Sequence, residues 1–170
     1  MSHDMVTHRL LTTLNRPLPL VPRRGLIVLI AALLLALPAT ALADYVSVQR
    51  DKINIRSGPG TDHEILWEVF RDFPLKVISR QGEWAQIEDF EKDRGWVYTP
   101  LVGNEKRVIV QVEVANLRVG PGTNYEVKAT VRYGVVFEPL ERRRDWVKLQ
   151  HSDGTTGWMS TNLLWPSDII

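Results

Sequence analysis

From Asp44 onward, apolar residues come in short runs of Val, Ile, Leu and aromatics, broken at close intervals by Gly, Pro and Asp. No stretch there sustains a helical period, so the pattern predicts strands. One half is expected to form strands near 46–57, 64–70, 73–80, 83–88 and 94–98. The other half repeats them near 108–119, 126–132, 135–142, 145–150 and 156–160. Five short antiparallel strands per half suit a small, strongly bent barrel. Leu101 and Leu163 are expected in a one-turn cap on the barrel floor.

Alternation within the strands separates two faces. Ala85 and Ile87 share one, whereas Trp84, Gln86 and Glu88 share the other; the same holds for Val147 and Leu149 against Trp146, Lys148 and Gln150. With the aliphatic face as core, Trp84 and Trp146 lie outside, among polar neighbours. Val46 and Val48 are in even phase but Ile53 and Ile55 in odd phase, and Val108, Val110, Ala115 and Leu117 slip the same way. One slip per half implies a bulge or bend in a long first strand.

The two halves are copies. A shift of 62 residues aligns the chain with itself without a gap and gives 17 identities over the 56 positions 46–101. Asn54-Ile55-Arg56-Ser57-Gly58-Pro59-Gly60-Thr61 falls on Asn116-Leu117-Arg118-Val119-Gly120-Pro121-Gly122-Thr123, Trp84 on Trp146, and Gly95-Trp96-Val97 on Gly157-Trp158-Met159. So many matches at one offset mark an internal duplication. The expected organisation is 1–43, 44–103 and 104–170, with a short polar link at 102–107, so that the barrels touch or nearly touch.

Residues 26–37, LIVLIAALLLAL, are preceded by Arg23-Arg24 and followed by Pro38 and Ala41-Leu42-Ala43. This is the layout of a cleaved secretory signal helix, with cleavage after Ala43. The apolar run is too short to span a membrane, for which about 20 residues are needed. Contact with a membrane is therefore transient and the product exported, periplasmic or secreted. The sequence leaves open Met1 or Met5 as the start and the general or twin-arginine export route. No cysteine is present. That excludes disulfides, thiolate metal sites, a cysteine nucleophile and lipoprotein anchoring. From Asp44 onward 17 basic residues face 19 acidic ones, which argues against a nucleic-acid partner.

Asn-hydrophobic-Arg-x-Gly-Pro-Gly-Thr, a Trp about 28 residues after the Arg, then Gly-Trp-hydrophobic and a closing Leu resemble the bacterial SH3 (SH3b) domain. Both copies carry this combination. One departure is Asp72, where the family usually has the glycine that Gly134 supplies. The resemblance implies two tandem SH3-like β-barrels and a binding role in the envelope or outside the cell. Known members bind cell-wall peptides, accompany wall hydrolases or hold protein partners. The two copies cover nearly all of the sequence after the apolar segment, so the expectation is the binding module without the usual hydrolase domain.

Gly58-Pro59-Gly60 and Gly120-Pro121-Gly122 read as structural turns. A phosphate loop needs consecutive N–H donors and a following Lys, and proline removes a donor. Asn54 and Asn116 are expected to cap these turns, and Arg56 and Arg118 to anchor the loops, with ligand contact by the arginines as the other reading. Trp96 and Trp158 are expected in core or seam packing, and Trp67 and Trp165 at the contact between modules. Glu88–Arg94 and Arg142-Arg143-Arg144 read as solvated hairpin tips, the first lacking the glycine of a calcium loop and the second with the binding of an anionic polymer or a carboxylate as its other reading. His63 and His151 occupy non-equivalent places, and no nucleophile motif or metal-ligand spacing is present. The expectation is a non-catalytic module without cofactor or metal. It binds peptidoglycan peptide or glycan at Trp84, Gln86 and Arg56 in one copy and Trp146, Lys148 and Arg118 in the other. The alternative is an adaptor that holds an envelope protein.

Overall fold

A computed structural model describes residues 44–169. The signal segment expected over 1–43 lies outside the described residues. No α-helix occurs among those described, and the two copies fold into two seven-stranded antiparallel sheets within one compact unit.

The first copy runs β1 (Asp44–Val48), β2 (Ile53–Arg56), β3 (Ile65–Val69), β4 (Pro74–Gln81), β5 (Trp84–Glu88), β6 (Arg94–Tyr98), a 3-10 turn Thr99–Leu101 and β7 (Val102–Gly103). The second runs β8 (Val108–Val110), β9 (Val114–Arg118), β10 (Val127–Arg132), β11 (Val136–Arg143), β12 (Trp146–Gln150), β13 (Thr156–Ser160), a 3-10 turn Thr161–Leu163 and β14 (Leu164–Trp165). The strand orders are β3-β2-β6-β5-β4-β1-β7 and β10-β9-β13-β12-β11-β8-β14, so the topology is duplicated with the sequence. Val69 near one end of the first order and Val46 near the other bury into one cluster with Ile55, Leu75, Ile87 and Val97. A single sheet that encloses its own core in this way is curled round it, as a small barrel requires.

Three expectations change. The long first strand is two strands, because the chain breaks at Lys52, whose φ is +59°, and β1 and β2 occupy separate places in the sheet. The phase slip is thus a corner, the bend of the two alternatives. Each copy also gains a two-residue strand after its 3-10 turn: β7 pairs with β1 and β14 with β8. Val102-Gly103 therefore belongs to the first sheet, and 104–107 alone connects the modules. Such short strands carry no periodicity to read. The 3-10 turns holding Leu101 and Leu163 fall where expected.

Gly95 is required where β6 crosses β2. A Cβ there would collide with Ile55 Cγ2 and sit 3.1 Å from the Arg56 carbonyl; at Gly157 the same atom would collide with Leu117 and sit 3.0 Å from the Arg118 carbonyl. The glycine of each Gly-Trp pair is a close-approach residue.

The modules meet along β1, β8 and β14. Ile109, 1% exposed, points out of its own sheet and joins the core cluster of the first module, with Val136 and Trp165 packed beside it. Trp165 stands edge-on to Tyr45 at 5.6 Å, and Phe90 lies 5.2 Å from Tyr133, whose hydroxyl donates to Glu91. That bond pushes the Tyr133 phenol up to about 12. Arg107 from the connector reaches Asp72 at 3.0 Å and Glu138 at 3.7 Å. The departure at Asp72 is thereby explained. It adopts φ +69° where Gly134 adopts +79°, and its carboxylate holds the connector. Short polar side chains tolerate this left-handed region better than most.

Candidate functional site

The alternation places Ala85 and Ile87, both 0% exposed, in the first core and leaves Trp84 half-buried on the opposite face; Val147, Leu149 and Trp146 repeat this. In β2, Ile53 and Ile55 face inward, so Asn54 and Arg56 share the outer face. These strands build a cleft of about 550 Å³ lined by Lys52, Asn54, Arg56, Asp62, Trp84 and Tyr98, among others. Trp84 and Tyr98 are cross-strand partners with ring centroids 5.5 Å apart, a tilted aromatic pair. Such a wall packs against an apolar or sugar face, while Asn54, Asp62 and Lys52 offer directional polar groups around it.

Arg56 performs the expected anchoring: Nη1 donates to the carbonyls of Thr61 (3.0 Å) and His63 (2.7 Å). Arg118 Nη1 donates to the Tyr125 carbonyl at 2.7 Å. Asn54 and Asn116 do not cap the turns. They lie within β2 and β9, opposite Glu68 and Thr130, and neither side chain has a hydrogen-bond partner among the described residues. The turns are held instead by Gly60 N–H to Gly58 carbonyl and Gly122 N–H to Gly120 carbonyl bonds, both 3.0 Å, around a proline whose φ suits so tight a turn. The glycines have a further cause that spacing alone does not reveal. A ring lies against each turn, and a Cβ on Gly58 would be 2.5 Å from His63, while one on Gly120 would collide with Tyr125. His63 is thus the positional counterpart of Tyr125.

Gln86 and Lys148 stay outside the cleft linings. Gln86 accepts from the Ser79 hydroxyl at 3.1 Å and stands opposite Trp96; Lys148 stands between Glu141 and Trp158. Trp158 is buried, with the Arg143 guanidinium 5.2 Å from its ring centre, and Trp96 is half-buried. Trp165 takes part in the contact between modules, but Trp67 does not: it packs on the first core, with its indole Nε1 buried and unpartnered among the described residues.

The Glu88–Arg94 hairpin is less solvated than its composition implies. Glu88 (7% exposed) is held below the usual carboxylate range, chiefly by the Arg94 guanidinium bonded to it at 2.8 Å. Burial pushes Asp89 up, although its Oδ1 accepts the N–H groups of Glu91 (2.9 Å) and Asp93 (3.0 Å). Oxygens of Asp89, Glu91 and Asp93 lie within 4.8 Å of one another. Asp89 is already engaged in closing the turn and Glu91 in receiving Tyr133, so the cluster has a structural task without a cation.

Around Trp146 the second copy differs. Tyr98 is replaced by Ser160, Asp62 by Asn124 and Lys52 by Val114. The cleft, about 420 Å³, is lined by Pro121, Arg143, Arg144, Asp145 and Trp146. Tyr98 and Asp62 were missed at the sequence level because neither recurs in the other copy. Alternation from Trp96 does place Tyr98 on the outer face.

The match to known families agrees with this architecture. The bacterial SH3 domain family is matched twice, over residues 49–103 and 111–166. The chain belongs to the bacterial SH3 domain family, as two tandem members. Among curated proteins it is similar to the putative N-acetylmuramoyl-L-alanine amidase YrvJ of Bacillus subtilis (strain 168), with 27% identity over 133 residues. The match covers 72% of this chain but only 26% of that protein. Among solved structures it is similar to NlpC2 of Trichomonas vaginalis (10% identity, 74% of this chain and 49% of that one, TM-score 0.34). It is also similar to an NlpC/P60 family protein of Bacillus cereus ATCC 10987 (10% identity, 71% and 55%, TM-score 0.33). Both structural likenesses are too loose to support a statement about this chain.

Proposed function

We propose that the chain is an exported, non-catalytic binding protein whose two modules, 44–103 and 104–170, hold cell-wall peptide or glycan at the Trp84 and Trp146 clefts after removal of a signal at 1–43. The observation that carries this reading is the Trp84–Tyr98 wall in its 550 Å³ cleft, with Asn54 and Asp62 beside it. An aromatic platform ringed by a few polar side chains suits a sugar or peptide backbone. Membership of the bacterial SH3 family and the likeness to a wall-amidase protein favour the wall as the source of that ligand. Two weak sites on one chain gain affinity on a repetitive polymer through effective concentration.

A second reading, an adaptor for an envelope protein, is favoured by one feature. Edge strand β3 exposes Ile65 and Leu66, 48% and 45% accessible, beside an unpaired strand edge. Co-sedimentation of residues 44–170 with purified sacculi separates the two. Wild type is expected to pellet and a folded Trp84→Ala/Trp146→Ala double variant to stay in solution. Failure of the wild type to pellet favours the adaptor.

A further inference from the structure

The two modules carry different charge, although each cleft is lined by two cations and one carboxylate. Residues 44–103 hold 8 basic and 11 acidic side chains, whereas 104–170 hold 9 and 8, and three of those nine are consecutive at Arg142–Arg144 on the β11–β12 hairpin. Two of the three are engaged within their own module. Arg142 Nε donates to the Arg144 carbonyl at 2.9 Å, and Arg143 Nε pairs with Glu141 at 2.6 Å while its guanidinium lies over Trp158. Arg144 has neither a side-chain hydrogen bond nor an ion pair among the described residues, and it lines the cleft beside Trp146 and Pro121.

Its backbone conformation is uncommon, shared among the described non-glycine residues with Lys52, Asp72 and Lys92. Arg144 has φ +54°, a region disfavoured for any residue with a Cβ; the first module makes the same turn with Gly82 at φ +57°. The turn is fixed on both sides, by Arg142 and by the Asp145 carbonyl accepting the Thr161 N–H at 2.8 Å. An arginine kept in a position that suits glycine, rooted in a rigid turn and free at its guanidinium, points to a task for that guanidinium.

We propose that the cleft of the second module is an anion-recognition site: Arg144 grips a carboxylate or phosphate of the ligand while Trp146 packs against its body. Asp145 on the same wall keeps the net charge low and leaves recognition to the planar, bidentate geometry of the guanidinium. This deepens the wall-binding reading and rests on it for the identity of the polymer, but the site itself is testable apart from it.

Arg144→Gly removes the cation and relaxes the backbone, so loss of folding does not confound it. The signal to follow is the Trp146 indole N–H in two-dimensional NMR of residues 44–170. The probes are a glutamate-containing tripeptide with free carboxylates, the same peptide amidated at each carboxylate, and glycerol 3-phosphate. The free acid or the phosphate is expected to shift the signal, more strongly at low salt, and the amidated peptide to leave it in place. Whichever anion acts names the source. In Arg144→Gly the affinity is expected to fall about tenfold, as loss of a charge-assisted hydrogen bond would give. Equal binding of amidated and free peptide, an unchanged affinity in Arg144→Gly, or no shift with any anion overturns the proposal. Sacculus pelleting by the wild type is read separately and tests the wall reading alone.

Discussion

The two modules share a fold position by position and differ where they face outward. Val46, Val48, Ile55, Ile87 and Val97 answer to Val108, Val110, Leu117, Leu149 and Met159, all buried, in sheets of identical order. Outside, Tyr98 answers to Ser160, Asp62 to Asn124 and Gly82 to Arg144 in the clefts, while Ser47 answers to Ile109 and Gly103 to Trp165 at the seam. The buried face therefore holds the architecture, and the outer face has been turned to two separate ends. One is a seam to which the second copy contributes large residues, Ile109 in the first core and Trp165 against Tyr45; the other is a pair of clefts of unlike chemistry.

The seam offers the sharpest way to break this asymmetry. Ile109→Ser gives the second module the residue that the first has at the same register, and places a hydroxyl in the first core. A loss of about 3 kcal/mol or more is expected by chemical denaturation, combining a lost aliphatic side chain with an unpaired polar group. A change near zero would mean that the modules do not depend on each other. The core offers the opposite test. Gly95→Ala and Gly157→Ala meet the same obstruction in each copy, so both are expected to cost about 1–3 kcal/mol by overpacking. A loss confined to one of them would show that the copies are not equivalent inside.

The smallest effect concerns pH. Glu88, whose counterpart is Gln150, has its folded pKa held below the ordinary 4.5, first by the Arg94 hydrogen bond, with burial acting the other way. A lowered folded pKa adds stability above about pH 4.5, and that stability is lost as pH falls through 4.5 towards the folded value. Glu88→Gln is expected to flatten the acid-side loss by about 1 kcal/mol or less, since Arg94 is largely exposed. Asp89, pushed up by burial, keeps its opposite contribution in both proteins. Identical acid profiles for wild type and variant would remove Glu88 from this account.

Much of the fold is legible because two signals reinforce each other. The 62-residue offset marks the unit, and strict alternation in Trp84–Glu88 and Trp146–Gln150 marks the faces. What escapes the sequence is what depends on distant contacts. Lys52 turns a corner that alternation cannot tell from a bulge, and β7 and β14 are too short to leave a pattern. The capping expected of Asn54 follows a local propensity, but the turn is stabilised by a ring, His63 or Tyr125, that no periodicity connects to it. At the site, the aromatic anchor was visible in Trp84, whereas its partner Tyr98 required knowledge of which strand lies alongside. Gln86 and Lys148 share the anchor's face but point past the cleft, because one face of a curled sheet serves more than one hollow.

The central claim, that the clefts differ in kind, is tested most directly by sacculus co-sedimentation of Trp84→Ala and Trp146→Ala separately, each at low and high salt. Trp84→Ala leaves the cleft with Arg144, and its remaining binding is expected to weaken as salt rises. Trp146→Ala leaves the Trp84–Tyr98 cleft, whose Tyr98 ring adds contact that salt does not screen, and its remaining binding is expected to weaken less with salt. The same salt dependence in both variants would contradict the claim and make the two modules a simple repeat of one site.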